Sequence, residues 1–215
     1  MSSRRHVVIT GTGRAGTTFL VELLTRIGLD TGYNMDDIIA QKNPIARAGL
    51  EHDIRLSNCP FIVKNPLFCD YAEEVLARKD IIIEHVFIPV RNLEAAAQSR
   101  RYVNETNFSK MPLIKKIKRT LKPKGFAGGL WDVNPGEQMK QEEILPQKIY
   151  QLILALSDTS IPVTFMRYPR IVRDCPYLFE KLKPVLGEMD YNAFNSAFHK
   201  TAQPEIVHRF NQDDC

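Results

Sequence analysis

One short stretch near the start of the chain constrains the fold more than any other. Residues 7–9 (Val-Val-Ile) have the length and the β-branched content of a buried strand. A turn of small residues follows at 11–16, and apolar side chains then recur at helical spacing from Phe19 to Ile27. A strand, a glycine-rich turn and a helix in this order are typical of a phosphate-binding loop. The N–H groups of the turn and the positive end of the helix then converge on one anion.

The spacing of this turn is that of the nucleoside-triphosphate loop G-x-x-x-x-G-K-[ST], but Thr17 stands at the lysine position. Thr17 and Thr18 place two hydroxyl groups at the start of the helix, and the cation lies earlier, at Arg14. Such a loop still suits an anion, but it lacks the lysine that contacts the β- and γ-phosphates of a triphosphate. An ordinary strand-to-helix turn with N-capping threonines is the alternative.

Residues 11–20, Gly-Thr-Gly-Arg-Ala-Gly-Thr-Thr-Phe-Leu, resemble the 5′-phosphosulfate loop of sulfotransferases that use 3′-phosphoadenosine 5′-phosphosulfate (PAPS). That loop reads roughly G-x-P-[RK]-S-G-T-T, so Gly13 and Ala15 replace proline and serine. The resemblance implies that Arg14 contacts the 5′-phosphate and the bridging oxygen, and that Phe19 lies beside the adenine. The cofactor-binding residues it implies in this loop are Gly11, Thr12, Gly13, Arg14, Ala15, Gly16, Thr17, Thr18 and Phe19.

A second motif follows the long apolar run of residues 80–89. Arg91 stands at the exit of this predicted strand, and Ser99 lies about two turns into the next predicted helix. An arginine fork and a serine hydroxyl near a helix N-terminus predict a second anion site, distinct from the first. The segment resembles the 3′-phosphate motif of the same family. The resemblance implies that Arg91 and Ser99 bind the 3′-phosphate that distinguishes this cofactor from ATP.

Another predicted strand, residues 60–64, ends at Lys64 and is followed by Asn65 and Pro66. A lysine at the carboxyl end of a parallel strand points into the crevice where such sheets bind ligands. A solvated lysine at a strand end is the alternative. The resemblance implies that Lys64 stabilises the sulfuryl group during transfer. Cytosolic members of the family have a histidine base where this chain has Pro66, so the usual base is absent.

Several residues are therefore candidates for the general base that deprotonates the acceptor molecule. Asp36 lies about two dozen residues after the loop, at a distance where the tyrosine-directed branch of the family has a glutamate, so the resemblance favours Asp36 as the base. Alternatively, Asp36 or Asp37 caps the next helix. Glu51 and His52 are further candidates, although a solvated surface histidine is the plainer interpretation of His52.

Composition is consistent with one domain over residues 1–215, because 44% apolar content is enough to form a sizeable core. The net charge of +4 is too small to predict nucleic-acid binding. Periodicity fades over residues 105–141, which we interpret as a basic lid or insert containing the lysine-rich run 115–124. A solvated surface is the alternative for these lysines. The four cysteines have neither metal-site nor disulfide spacing.

Hydropathy predicts no membrane span, because no segment approaches about 20 apolar residues. No apolar run of signal-peptide length precedes the first strand, so the sequence predicts a cytoplasmic protein.

Together these patterns predict a three-layer αβα domain with a mostly parallel sheet of about four or five strands and a P-loop-like phosphosulfate loop. The expected function is in-line transfer of a sulfuryl group from PAPS to a hydroxyl or amine of a small-molecule or carbohydrate acceptor. The product would be 3′-phosphoadenosine 5′-phosphate (PAP), with no metal required. The alternatives are a small-molecule kinase that uses ATP and magnesium, and a nucleotide-binding module without catalysis.

Overall fold

A single parallel sheet forms the centre of the protein. The computed structural model describes residues 3–41, 48–115, 129 and 141–207. Within these residues the strands are β1 Arg4–Ile9, β2 Ile62–Lys64, β3 Ile81–Val90 and β4 Val163–Arg167. Their order is β2-β1-β3-β4, and all three neighbouring pairs are parallel.

Helices cover this sheet on both faces. They are α1 Thr17–Arg26, α2 Met35–Gln41, α3 Ala72–Leu76, α4 Leu93–Ser109, α5 Gln141–Ser157, α6 Cys175–Leu186 and α7 Tyr191–Thr201. Short 3₁₀ turns lie at Pro66–Asp70, Arg170–Val172 and Pro204–Ile206.

The alternation of side chains along the strands divides the core into two layers. Val7 and Ile9 of β1 face α1, α6 and α7, together with Phe87 of β3. Val8 faces the opposite way, towards α3 and α5, and Val86 of β3 shares that face. Because β1 and β3 are buried on both faces, their sequences are nearly continuous apolar runs rather than alternating ones. The predicted three-layer α/β architecture is confirmed.

The strand order brings the carboxyl ends of β1 and β3 next to each other. From β1 the chain passes to β2 on one side of it, whereas β3 lies on the other side, where Ile9 pairs with Phe87. This reversal is a topological switch point, and open parallel sheets bind ligands just outside the carboxyl ends of the strands at such a point. The loop after β1 and the residues after β3 therefore emerge side by side.

Polar caps set the beginnings of several helices. The Asn92 side chain accepts a hydrogen bond from the N–H of Ala95 and starts α4 directly after β3. Asp174 and Asp190 cap α6 and α7 in the same way. Gly16 precedes α1 and provides no side-chain cap, so the first N–H groups of α1 are left for other partners.

The structure bears on only part of the predicted insert. Helix α4 continues through Ser109, so residues 105–109, where the predicted insert begins, form the last turns of a regular helix. Of the basic run 115–124, only Lys115 is among the described residues, and the rest lies outside them. Among the described helices, none is both long enough and apolar enough to cross a membrane.

Candidate functional site

The loop between β1 and α1 is tightly curled. Four of its residues have positive φ angles: 127° at Gly11, 67° at Gly13, 58° at Arg14 and 85° at Gly16. Residues with positive φ angles turn the backbone sharply, and turns of this kind can bring successive N–H groups together as donors to an anion. Arg14 is the non-glycine residue among the four, and its side chain is directed by contacts outside the loop.

Gly16 marks the point where the loop passes closest to the chain beyond β4. A Cβ atom at this position would lie 2.9 Å from Cδ1 of Ile171 and 3.0 Å from Cδ2 of Tyr168. Both the positive φ and this close approach require glycine. The ring of Tyr168 therefore lies directly against the loop, and its backbone N–H donates to the carbonyl of Val90 at 2.7 Å.

The two motifs predicted from the sequence meet in space. Nε of Arg14 donates to Oγ of Ser99 at 3.1 Å, and Nη1 of Arg91 donates to the backbone carbonyl of Arg14 at 3.3 Å. The two predicted anion sites are thus neighbours in direct contact, joined by Arg14. Ser99 is buried, whereas Arg14 and Arg91 are half-buried.

Positive charges at this junction influence one another. Burial lowers the pKa of the Arg14 guanidinium to about 10; the neighbouring charge of Arg91 also lowers it, and Tyr168 acts in the opposite direction. The guanidinium of Arg91 lies 4.9 Å from the centroid of the Tyr168 ring, within the range of a cation–π contact. The cluster therefore concentrates cationic charge in a partly dehydrated place.

Arg100 is a third guanidinium beneath the loop. Its Nη2 donates to the carbonyl of Thr12, and its Nη1 donates to the carbonyl of Gly129. Burial lowers the pKa of Arg100 to about 9, and the charge of Arg14 contributes. Sequence reasoning missed this residue, because an arginine inside an amphipathic helix ordinarily faces solvent. Its position directly after Ser99 is the one signal that points to it.

Lys64 is buried and has a carboxylate partner. Its side chain is 1% exposed, and Nζ lies 2.5 Å from Oε1 of Glu51 and 2.7 Å from the carbonyl of Gly49. Nζ also lies 3.3 Å from Oγ1 of Thr18, which connects the lysine to the start of α1. Burial lowers the pKa of Lys64, while the charge of Glu51 raises it. The lysine thus contacts the start of α1, and it has a counter-ion that the sequence analysis did not assign to it.

Two of the candidate bases lie on α2. Asp36 is exposed in the first turn of that helix, and within the described residues no hydrogen bond or ion pair joins it to Arg14 or Lys64. Asp37 caps the helix: its Oδ2 accepts from the N–H of Asn34 at 3.1 Å, and the side chain of Asn34 accepts from the N–H of Asp37 at 2.9 Å. Asn34 is therefore the N-cap of α2, and Asp37, the third residue of the helix, completes a capping box with it.

The other two candidates follow each other in the segment beside β2. Nε2 of His52 donates to the carbonyl of Thr31 at 3.2 Å, and its ring packs on Tyr33 with centroids 4.7 Å apart. His52 is half-buried by these contacts, so it is not the solvated histidine that the sequence favoured, and this burial lowers its pKa. Glu51 contacts Lys64, and 37% of its side chain remains exposed. Among the four candidates, Glu51 alone contacts a predicted site residue of the opposite charge in the described part of the chain.

Phe19 has a role in packing. Its ring meets Phe198 edge to face at 6.0 Å between centroids, which joins α1 to α7. Tyr168, rather than Phe19, is the aromatic residue that contacts the glycine loop.

No cluster of three or more His, Cys, Asp or Glu side chains in the described ranges is arranged to hold a metal ion. Comparisons with protein-family models, with curated proteins and with solved structures returned no match for this chain.

Proposed function

We propose that the protein is a sulfotransferase that moves a sulfuryl group from PAPS to a hydroxyl or amine of an acceptor. The observation that carries the proposal is the convergence of Arg14, Ser99 and Arg91 at the switch point of the sheet. These residues come from two strand-to-helix junctions. One junction resembles the motif that binds the 5′-phosphosulfate of PAPS, and the other resembles the motif that binds its 3′-phosphate.

The donors at the site are chemically suited to a ligand with more than one anionic group. Guanidinium groups bind phosphate and sulfate oxygens through paired, charge-assisted hydrogen bonds. The uncapped first turn of α1 adds backbone N–H groups and a partial positive charge. An anion bound beside Arg14 and Arg91 would offset the unfavourable proximity of their charges, which lowers the pKa of Arg14.

Each group has a distinct task in this proposal. PAPS supplies the sulfuryl group, and transfer builds negative charge on the oxygen that leaves with PAP. The loop and Arg14 hold the 5′ end, whereas Arg91 and Ser99 hold the 3′-phosphate. Lys64, next to Thr18, stabilises the developing negative charge. Catalysis by positioning and electrostatics of this kind resembles phosphoryl transfer.

Glu51 is the carboxylate that we assign to the acceptor. Its Oε1 atom contacts Lys64, and the side chain is partly exposed, so the carboxylate is accessible to an acceptor molecule. The acceptor oxygen or nitrogen loses its proton to Glu51 as its bond to sulfur forms and the bond from sulfur to the 5′-phosphate oxygen breaks. Asp36, which the sequence favours, remains the competing assignment.

Calorimetric titration tests the cofactor. PAP is expected to bind much more tightly than ATP with magnesium, and AMP, which lacks the 3′-phosphate, should bind weakly. Tight binding of ATP with magnesium together with weak binding of PAP would overturn the proposal and favour a kinase. Tight PAP binding without turnover of any hydroxyl or amine acceptor would instead indicate a nucleotide-binding module.

A further inference from the structure

Residue 13 departs from the motif that its loop resembles, since glycine stands where proline is commoner. The backbone explains the departure, because Gly13 has a φ of +67° and the ring of proline holds φ near −65°. A Cβ atom at this position would also lie 2.9 Å from Nη2 of Arg100. Glycine therefore makes room for the arginine, but it also removes the stiffness that a proline would give to the loop.

Arg100 occupies the space that Gly13 leaves. The residue is 5% exposed, and its fork donates to the carbonyls of Thr12 and Gly129, which come from separate parts of the chain. Two carbonyls bound by one rigid, planar group are held at a set separation. The contact to Thr12 acts on the backbone immediately before Gly13, at the crown of the loop.

Helix α4 contacts the β1–α1 loop through two consecutive residues. Ser99 accepts from the side chain of Arg14, and Arg100 donates to the backbone of Thr12. The contact from Ser99 orients the Arg14 side chain, and the contact from Arg100 holds the main chain of the loop at Thr12. A helix that follows β3 thus holds a loop that follows β1.

We propose that Arg100 is a positioning residue that braces the crown of the β1–α1 loop in its anion-binding shape and replaces the stiffening proline. The identity of the anion rests on the proposed function, whereas the bracing of the loop does not. Binding to a preformed loop avoids the entropic cost of ordering it, so the brace contributes to affinity without touching the ligand. Burial and the nearby charge of Arg14 both lower the pKa of Arg100.

The first experiment is amide hydrogen exchange over residues 10–18 in the wild type and in Arg100→Met. Arg101→Met is the matched control, because Arg101 is the next residue of the same helix and pairs with Glu142 away from the loop. Exchange is expected to increase at the loop in Arg100→Met and to remain unchanged there in Arg101→Met. Unchanged exchange in both variants would overturn the proposal.

Calorimetry with PAP, and with inorganic sulfate as a simpler probe, measures the effect on binding. Loss of a buried charge-assisted hydrogen bond predicts PAP affinity about tenfold to a hundredfold weaker in Arg100→Met. Arg100→Lys, which keeps the charge but lacks the fork, should be intermediate. A lowered Tm with unchanged PAP affinity would show that Arg100 serves folding alone.

A double-mutant cycle remains informative if Arg100→Met fails to fold. Gly13→Ala should weaken PAP binding more in the wild-type background than in the Arg100→Lys background. Lysine has no atom equivalent to Nη2 of arginine, so it leaves room for the new methyl group. Strictly additive effects would contradict contact between the two residues. If the wild type binds neither PAP nor sulfate, the proposed function fails, and hydrogen exchange alone decides whether Arg100 braces the loop.

Discussion

Arg91 has the most specific part in the cofactor assignment. It follows β3, donates to the carbonyl of Arg14 and lies over the ring of Tyr168, so its guanidinium is oriented before any ligand arrives. A preoriented guanidinium loses little conformational freedom when it binds a phosphate. The proposed preference for a 3′-phosphate therefore depends on this side chain.

We expect Arg91→Met to weaken PAP binding about tenfold to a hundredfold, the range for loss of a charge-assisted hydrogen bond. AMP, which has no 3′-phosphate, should lose much less affinity. Calorimetric titration of both nucleotides measures the difference, with Arg167→Met, an exposed arginine at the end of β4, as the control. Equal losses for PAP and AMP would show that Arg91 does not bind the 3′-phosphate.

Single substitutions also decide whether Glu51 or Asp36 is the general base. Glu51→Gln is expected to lower turnover by about 10²-fold or more, because an amide cannot accept the acceptor proton. Asp36→Asn should leave turnover nearly unchanged, because Asp36, unlike Glu51, has no described contact with Lys64. Steady-state kinetics with saturating PAPS measures both variants. The reverse pattern would return the role of base to Asp36.

At the scale of elements, the helix caps make a separable contribution to stability. Oδ1 of Asp174 accepts from the N–H of Tyr177 at 2.9 Å, and its Oδ2 accepts from Arg170. These hydrogen bonds lower the pKa of Asp174 and begin α6, whose buried residues pack on the sheet. The capped helix packs on the same face of the sheet as α1, the helix that follows the loop.

We expect Asp174→Ala to lower the free energy of unfolding by about 1 kcal/mol, the usual effect of removing an N-cap. Glu180→Ala is the matched control on the same helix, because it removes a carboxylate from an exposed pair with Lys183 that contributes only a few tenths of a kcal/mol. Urea unfolding measures both variants. Equal losses would mean that the cap has no special role in starting α6.

At the scale of the whole molecule, histidines couple stability to pH. Burial lowers the pKa of His6, His52 and His85, which are spread over β1, β3 and the segment beside β2. The native state therefore binds fewer protons than the unfolded chain as the pH falls below about 6.5. Stability must then decrease with acidification through that range, because protonation favours the unfolded chain.

We expect the free energy of unfolding to fall between pH 7.5 and pH 5.5, with a slope of at most about 1.4 kcal/mol per pH unit for each of these histidines. His85→Gln should reduce the slope, since one buried ring is removed. His199→Gln, an exposed position on α7, should leave it unchanged. Urea titrations at several pH values test this, and a stability that rises on acidification would contradict it.

Much of the architecture was predictable because it is encoded locally. The apolar runs before Gly11 and Arg91 are strands, and the helix predicted after the glycine turn forms as α1. Each of these predictions needs only the periodicity of a dozen neighbouring residues, which reports which faces of an element become buried. The reciprocal cap between Asn34 and Asp37 is equally local, although the sequence analysis named only Asp36 or Asp37 as the capping residue.

The contacts that assemble the site were not encoded in that way. Arg14 and Ser99 are 85 positions apart, and Lys64 meets Thr18 across 46 positions. Such meetings depend on the strand order, which local patterns leave open. Glu51 meets Lys64 because its segment runs beside the end of β2, where the N–H of His52 donates to the carbonyl of Lys64 at 3.1 Å.

By itself, therefore, the sequence determined the order of the helices and strands, the apolar face through which each one packs into the core, and the two motifs that indicate phosphate binding. The tertiary structure alone decided that these motifs touch, that Lys64 has Glu51 as its partner, and that Arg100 lies under Gly13. The physical reason is that periodicity reports burial, whereas charge pairing and steric fit exist only between groups that the fold has brought into contact.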